Sequence, residues 1–145
     1  MPGSSIGPGG NDEYGHSYDI VGTSGSFPNG HYNVAGKNQI RWLGDAYVQS
    51  VSSSGLYRIH AQDTGALDPA RRYALRLVKD AQRTYWGEVR SLFDTIPWIK
   101  NGLMLGWRYP NGSGQNLQLL DTTPGSPFLK EDAPISLGST FSDTE

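Results

Sequence analysis

Histidines and carboxylates are the residues of this sequence that could hold a metal ion. A zinc site needs at least three convergent ligands, and the chain contains 3 histidines and no cysteine. The spacing of these side chains does not predict convergence, and His31 also suits a structural role at the start of a helix. We favour the structural role. The candidate metal ligands are His31, Asp12, Glu13 and Asp19.

Calcium is the second ion that the acidic residues suggest. Asp12, Glu13 and Asp19 lie in a glycine-rich segment, and Asp63 and Asp68 flank another loop sequence. Carboxylate oxygens are the ligands that Ca²⁺ prefers, but neither group has the spacing of a known calcium loop. Calcium therefore stays open as an alternative, and no other cofactor is predicted.

Aromatic residues supply the remaining candidate binding surface. They could stack on sugars or peptides, but aromatic residues at strand spacing usually fill the core of a sandwich, and we favour the core. The candidates for binding are Trp86, Trp98, Trp107 and Tyr109.

Several functional classes lack their signatures. No serine lies in the strand-to-helix setting of a G-x-S-x-G nucleophile elbow, and no glycine-rich stretch leads into a Lys-Ser or Lys-Thr pair. The net charge is −2 and the basic residues are scattered, so we predict no nucleic-acid partner. No apolar run approaches the roughly 20 residues of a membrane span.

The elements that must position these side chains are mainly strands. Apolar residues make up 36% of the 145-residue chain, and 19 glycines and 9 prolines indicate many turns. Short runs rich in β-branched and aromatic residues predict an all-β fold, a β-sandwich of about seven strands, with Tyr73, Leu75 and Leu77 in its core. The predicted strands are 46–53, 56–61, 73–79, 84–92, 103–109, 116–120 and 135–141.

The segment before the strands is organised differently. Residues 1–10 form a Gly/Pro/Ser sequence typical of a flexible arm, 11–44 hold an irregular glycine-rich loop and one short helix, and 45–145 form the sandwich. Asn33 is the predicted cap of that helix, with Lys37 on its outer face.

Four short motifs before residue 45 resemble the stretch that follows the zinc helix in gametolysin-like metallopeptidases and the relatives of immune inhibitor A. They are Glu13-Tyr14-Gly15, Tyr18-Asp19-Ile20-Val21-Gly22, His31-Tyr32-Asn33 and Trp42-Leu43. The resemblance continues in order through 54–58, 73–76, 83–86, 120–126 and 140–143, and so covers nearly everything after residue 10.

The resemblance implies the downstream half of such a peptidase. The turn beneath the zinc corresponds to Asp19, Ile20, Val21 and Gly22, with Val21 in the place of the family's methionine. The His-Glu-x-x-His helix is absent, so zinc is expected only with an upstream segment, and the family's sandwich continues through one more strand than this chain.

The expected function is accordingly that of an extracellular, non-catalytic β-sandwich module that supports or binds a protein partner. A structural protein that self-associates into filaments or oligomers by donating a strand or its arm is one alternative. A carbohydrate-binding module is the other.

Overall fold

The computed structural model describes residues 15–22, 30–93, 95–108, 117–128 and 130–143. Strands in one mixed sheet make up most of their regular secondary structure, which confirms the predicted β-rich class. The predicted arm 1–10 lies outside the described residues. The elements in chain order are α1 Val34–Gln39, a 3₁₀ turn Asp45–Tyr47, β1 Val48–Ser50, β2 Ala74–Val78, β3 Thr84–Glu88, α2 Pro97–Lys100, β4 Gly102–Arg108, β5 Gln118–Leu119 and β6 Ile135–Ser136.

The strands lie in the order β1-β2-β3-β4-β5, and β6 pairs with the start of β4. Only the β1–β2 pair is parallel among the described strands. The β2–β3 hairpin, formed within the predicted strands 73–79 and 84–92, lies at the centre of the sheet. Asp80 closes its turn by accepting hydrogen bonds from the backbone N–H groups of Gln82 and Arg83, both at 2.7 Å.

The register of the pairs divides the sheet into two faces. Paired residues on neighbouring strands point to the same face, so Arg76, Trp86 and Gly106 share one side. We call it the helix face, because α1 packs there. The opposite side is the leucine face, which carries Leu75, Leu77, Leu103 and Leu105.

The main core lies on the helix face. Side chains from α1, from the residues after it and from β1 to β3 pack into one buried cluster there, and each fully buried apolar side chain contributes about 1.5–3 kcal/mol. Its buried members are Val34, Ala35, Leu43, Val48, Tyr73, Ala74, Trp86 and Leu117. A second cluster of buried residues contains Tyr18, Phe93, Ile96, Ile99 and Met104.

The helix prediction is confirmed in its start and wrong in two details. The Asn33 side chain caps α1 by accepting a hydrogen bond from the Gly36 N–H at 2.7 Å. Lys37, however, is buried rather than on the outer face. The second helix, α2, was not predicted. Its four residues begin with Pro97 and form a single turn, which is too short to show a helical period.

Several strand predictions were too long, and one was wrong. Residues 56–61 alternate like a strand but form none, and Leu56 is fully exposed. Alternation alone does not supply a neighbouring strand, and there His60 donates one backbone hydrogen bond to the Arg72 carbonyl. In the predicted core set, Tyr73 is buried, but Leu77 is 37% exposed because it lies on the less covered leucine face.

Candidate functional site

A buried ion pair lies at the end of β3, between its last residue, Glu88, and Arg90. Glu88 and Arg90 are only 1% and 2% exposed, and Arg90 Nη2 and Nε donate to Glu88 Oε1 at 2.7 and 3.0 Å. Burying two charges is favourable only when their other hydrogen-bonding groups are also satisfied. Arg90 meets that condition by donating to the Tyr18 carbonyl at 2.6 Å and to the His31 carbonyl at 3.2 Å. The ion pair thus holds both 15–22 and 30–33 against the sheet.

The second oxygen of Glu88 holds the start of α1. Glu88 Oε2 accepts hydrogen bonds from the Val34 backbone N–H at 2.7 Å and from Gln62 Nε2 at 3.3 Å. The first N–H groups of a helix have no partner inside the helix, and a carboxylate there also offsets the positive end of the helix dipole. Glu88 therefore joins β3, α1 and the loop at residue 62.

Asp19 ties the predicted zinc-turn segment to the same helix. Its Oδ1 accepts from the Val21 N–H at 2.9 Å, and its Oδ2 accepts from the Asn33 N–H at 2.9 Å and from Asn33 Nδ2. Asp19 is buried, whereas Ile20 and Val21 are exposed at the tip of the turn. In this turn, therefore, Asp19 has a structural role and Val21 faces outward.

Lys37, a residue of α1, adds further buried hydrogen bonds between this helix and the loop at residue 62. Its ammonium donates to the carbonyl and to the side-chain oxygen of Gln62, and its Nζ lies 3.4 Å from His31 Nε2. Burial, the main cause, lowers the pKa of Lys37 to about 8. The polar network that results consists of Asp19, Asn33, Lys37, Gln62, Glu88 and Arg90.

Two histidines border the polar network. His16 is 9% exposed, and the Nδ1 atoms of His16 and His31 are buried without a hydrogen-bond partner among the described residues. Burial lowers the pKa of His16 against the opposite influence of Glu88 and Asp19. Burial, followed by the charge of Lys37, lowers the pKa of His31.

The candidate metal ligands do not form a cluster within the described part of the chain. Asp12 and Glu13 lie outside it. His31 and Asp19 both border or join the polar network, but no three His, Asp or Glu side chains of the described ranges are placed to share an ion. The calcium candidates have separate roles: Asp63 accepts from the Ser91 and Leu92 N–H groups, and Asp68 pairs with Arg71.

The aromatic candidates divide between core and surface. Trp86 and Trp107 are buried, in agreement with the core interpretation. Trp98 is half-buried, with its ring 4.7 Å from that of the exposed Phe128, and Tyr109 lies outside the described residues. Trp42, which was not among the candidates for binding, is 64% exposed.

The sequence contained part of the signal for the polar network. Strand alternation places Trp86, Glu88 and Arg90 on one side, and in the structure all three are buried. Nothing local indicates that Lys37 meets Gln62, because 25 residues separate them.

Chemically, the polar network binds backbone carbonyls, backbone N–H groups and its own members.

No described helix is long and apolar enough to cross a bilayer. Comparison with known proteins finds no matching family model, curated protein or solved structure.

Proposed function

We propose that this chain is a non-catalytic β-module of a secreted protein, similar to the downstream half of a gametolysin-like zinc metallopeptidase, which supports or binds a protein partner. In this proposal the sheet is one layer of a β-sandwich of about seven strands. The zinc-turn segment keeps its place beside the helix, and its role is structural.

The leucine face is the observation that carries the proposal. Leu75, Leu103 and Leu105 are half-buried and Leu77 is exposed, although all four lie on the central strands of the sheet. Contiguous apolar surface on central strands favours a further covering layer or partner. Part of this face is covered at Tyr85, whose ring contacts Phe141 at 6.5 Å between centroids.

The polar network supports the non-catalytic part of the proposal. General acid–base chemistry needs a titratable group within reach of a substrate. Asp19 and Glu88 are instead buried, and their oxygens accept hydrogen bonds from Val21, Asn33 and Val34 backbone N–H groups. These bonds hold the fold.

Site-specific photo-crosslinking tests the partner. A benzophenone amino acid replaces Leu77 on the leucine face, and a matched variant carries it at Leu137, which is exposed but lies outside β2 to β4. In the secreting source organism, we expect a discrete crosslinked protein from position 77 and none from position 137. The same product from both positions, or none from either, contradicts partner binding at the leucine face.

Self-association by strand addition is a second candidate, favoured by β1. This strand is at the end of the strand order and pairs only with β2 among the described strands. The Tyr47 carbonyl accepts from the Tyr73 N–H, just before β2, and the Val51 N–H donates to the Arg76 carbonyl in β2. Alternation therefore directs the Ser50 N–H to the other edge. An open edge of this kind can accept a strand from another chain.

Sedimentation velocity separates this candidate from a monomer. Ser50→Pro removes the outward N–H and keeps the β1–β2 backbone hydrogen bonds, but it also removes the hydroxyl that accepts from Arg76 Nη2 at 3.0 Å. Ser50→Ala is therefore the control for that hydroxyl, and Ser52→Pro, beyond the end of β1, is the control for proline. The second candidate predicts concentration-dependent oligomers that S50P abolishes and S52P retains. A wild-type chain that stays monomeric at all concentrations excludes it.

A further inference from the structure

We propose that the part of the leucine face around Tyr85 and Lys79 is a peptide site. Its ligand is a segment of the protein partner that carries an aromatic residue and, two positions later, a carboxylate. Phe141 and Asp143 of this chain fill the peptide site, and the partner displaces them. The inference rests on the proposed function, because it names the chemistry that the partner presents to the leucine face.

The aromatic half of the peptide site is the ring of Tyr85. Tyr85 is paired with Leu77 on β2 and with Trp107 on β4, so the three side chains lie side by side on the leucine face. The Phe141 ring meets the Tyr85 ring edge-on, with 6.5 Å between centroids and 71° between the planes. Leu77 stays exposed beside this pair, which leaves apolar surface for a longer ligand to cover.

The carboxylate half of the peptide site has two converging donors. Asp143 Oδ2 accepts a hydrogen bond from the Tyr85 hydroxyl at 2.6 Å and is paired with the Lys79 ammonium. The Lys79 and Asp143 side chains are only 20% and 12% exposed, so water screens this pair less than a surface salt bridge. Burial and the bond to Asp143 raise the pKa of Tyr85, so its hydroxyl stays a donor at neutral pH. Charge-assisted donors of this kind select a carboxylate.

The segment that fills the peptide site is attached to the sheet through side chains. It follows a turn in which the Ser139 N–H donates to the Ser136 carbonyl at 3.0 Å, and Gly138 takes the position that requires a positive φ. No backbone–backbone hydrogen bond joins residues 140–143 to the rest of the described chain. The segment can therefore leave without breaking a strand pair, as displacement requires.

Displacement is a competition between a tethered and a free ligand. A segment linked to its own site acts at an effective concentration on the order of millimolar. A free peptide with the same two side chains therefore binds the filled site more weakly than the vacated site. A partner gains further contacts with the leucines that residues 141–143 leave uncovered, and these contacts favour the exchange.

An NMR titration tests the peptide site. The ligand is a synthetic peptide with the sequence of residues 139–143, acetylated and amidated so that its ends carry no charge. The double variant Phe141→Ser with Asp143→Asn, made in the whole chain, vacates the site. We expect saturable shifts of the Lys79 and Tyr85 amides, with half-saturation at a peptide concentration at least tenfold lower in the double variant than in wild type. Absence of binding up to millimolar peptide, or equal binding by both proteins, overturns the proposal.

Further variants test the chemistry of recognition. Tyr85→Phe keeps the ring and removes the hydroxyl, and Lys79→Met removes the cation. In the double-variant background, each should weaken peptide binding at least fivefold, whereas Arg58→Met, which removes an exposed cation outside the strands, should not. Equal affinity in all three overturns carboxylate recognition. If the double variant does not fold, the single variant Asp143→Asn takes its place.

The remaining outcomes separate the peptide site from the proposed function. A crosslinked partner at position 77 together with a peptide that does not bind overturns this inference and leaves the proposed function. Peptide binding without a crosslinked partner supports the peptide site and contradicts the proposed function. A wild-type dimer in sedimentation velocity that the double variant abolishes overturns the inference, because a second copy of the chain would then supply the ligand.

Discussion

The helix face and the leucine face of one sheet differ in what covers them. On the helix face, α1, the segment 15–22 and a fully buried ion pair complete the packing. On the leucine face, Tyr85 and Trp107 are buried, but the leucines Leu75, Leu77, Leu103 and Leu105 are left half-buried or exposed. Groups on the first face have their partners within the chain, and groups on the second have room for a partner. The comparison therefore assigns stability to the helix face, and our proposal places partner binding on the leucine face.

The largest expected effect comes from breaking the ion pair. Glu88→Gln removes the charge that compensates Arg90. Because Arg90 is only 2% exposed, water cannot solvate its guanidinium in place of the carboxylate. We expect a loss of about 3–5 kcal/mol in the free energy of unfolding, measured by urea denaturation. Glu131→Gln, at an exposed side chain, is the control. A loss below about 1 kcal/mol in E88Q would show that the pair is not central to the helix face.

A smaller effect is expected where β4 and β5 approach closely on the helix face. A methyl group at Gly106 would lie 2.6 Å from Leu117 Cγ and 2.7 Å from the Gln118 carbonyl oxygen. Gly106→Ala should lower the free energy of unfolding by about 1–3 kcal/mol through overpacking. In Gly44→Ala the nearest atom, on Tyr47, is 4.0 Å away, so this variant is the control. Equal stability of the two variants would refute the close approach.

The buried ammonium of Lys37 gives the next prediction, a pH dependence. Its pKa is lowered to about 8, so between about pH 8 and its ordinary value near 10.5 the unfolded chain binds more protons. Stability should therefore rise with pH in that window, and Lys37→Met should reduce the rise. The measurement stops at about pH 9.5, because the raised pKa values of Tyr18 and Tyr85 act in the opposite direction above about 10. An unchanged slope in K37M would contradict the burial of the charge.

The smallest effect is expected on the leucine face. Leu77→Glu introduces a charge at a side chain that already reaches solvent, so the free energy of unfolding should change by at most about 0.5 kcal/mol. Differential scanning calorimetry against wild type provides the measurement. A loss as large as that in E88Q would mean that both faces serve stability, and the contrast between them would fail.

Local signals in the sequence predicted local structure well. Asn33 as the helix cap and Asp80 at the hairpin turn both act through neighbours within three residues, so their chemistry is visible without the fold. The alternation that puts Glu88 and Arg90 on the side of Trp86 is equally local. The charges of Glu88 and Arg90 suggest exposure to solvent, but the structure buries both side chains.

The features that escaped prediction depend on distant parts of the chain. Lys37 is buried because Gln62 and His31 meet it, and residues 56–61 lack the neighbouring strand that their alternation implies. Arg90 binds Tyr18 across 72 residues. Such contacts depend on how the whole domain packs, and they cannot be deduced from the spacing of residues along the sequence.

The most direct test of the central claim, that the buried polar groups hold the fold and perform no chemistry, is a peptidase assay on the purified chain. Casein hydrolysis is followed with added zinc, and again with a chelator. The account predicts no hydrolysis above the buffer control under either condition. Hydrolysis that depends on zinc and disappears with the chelator would contradict it.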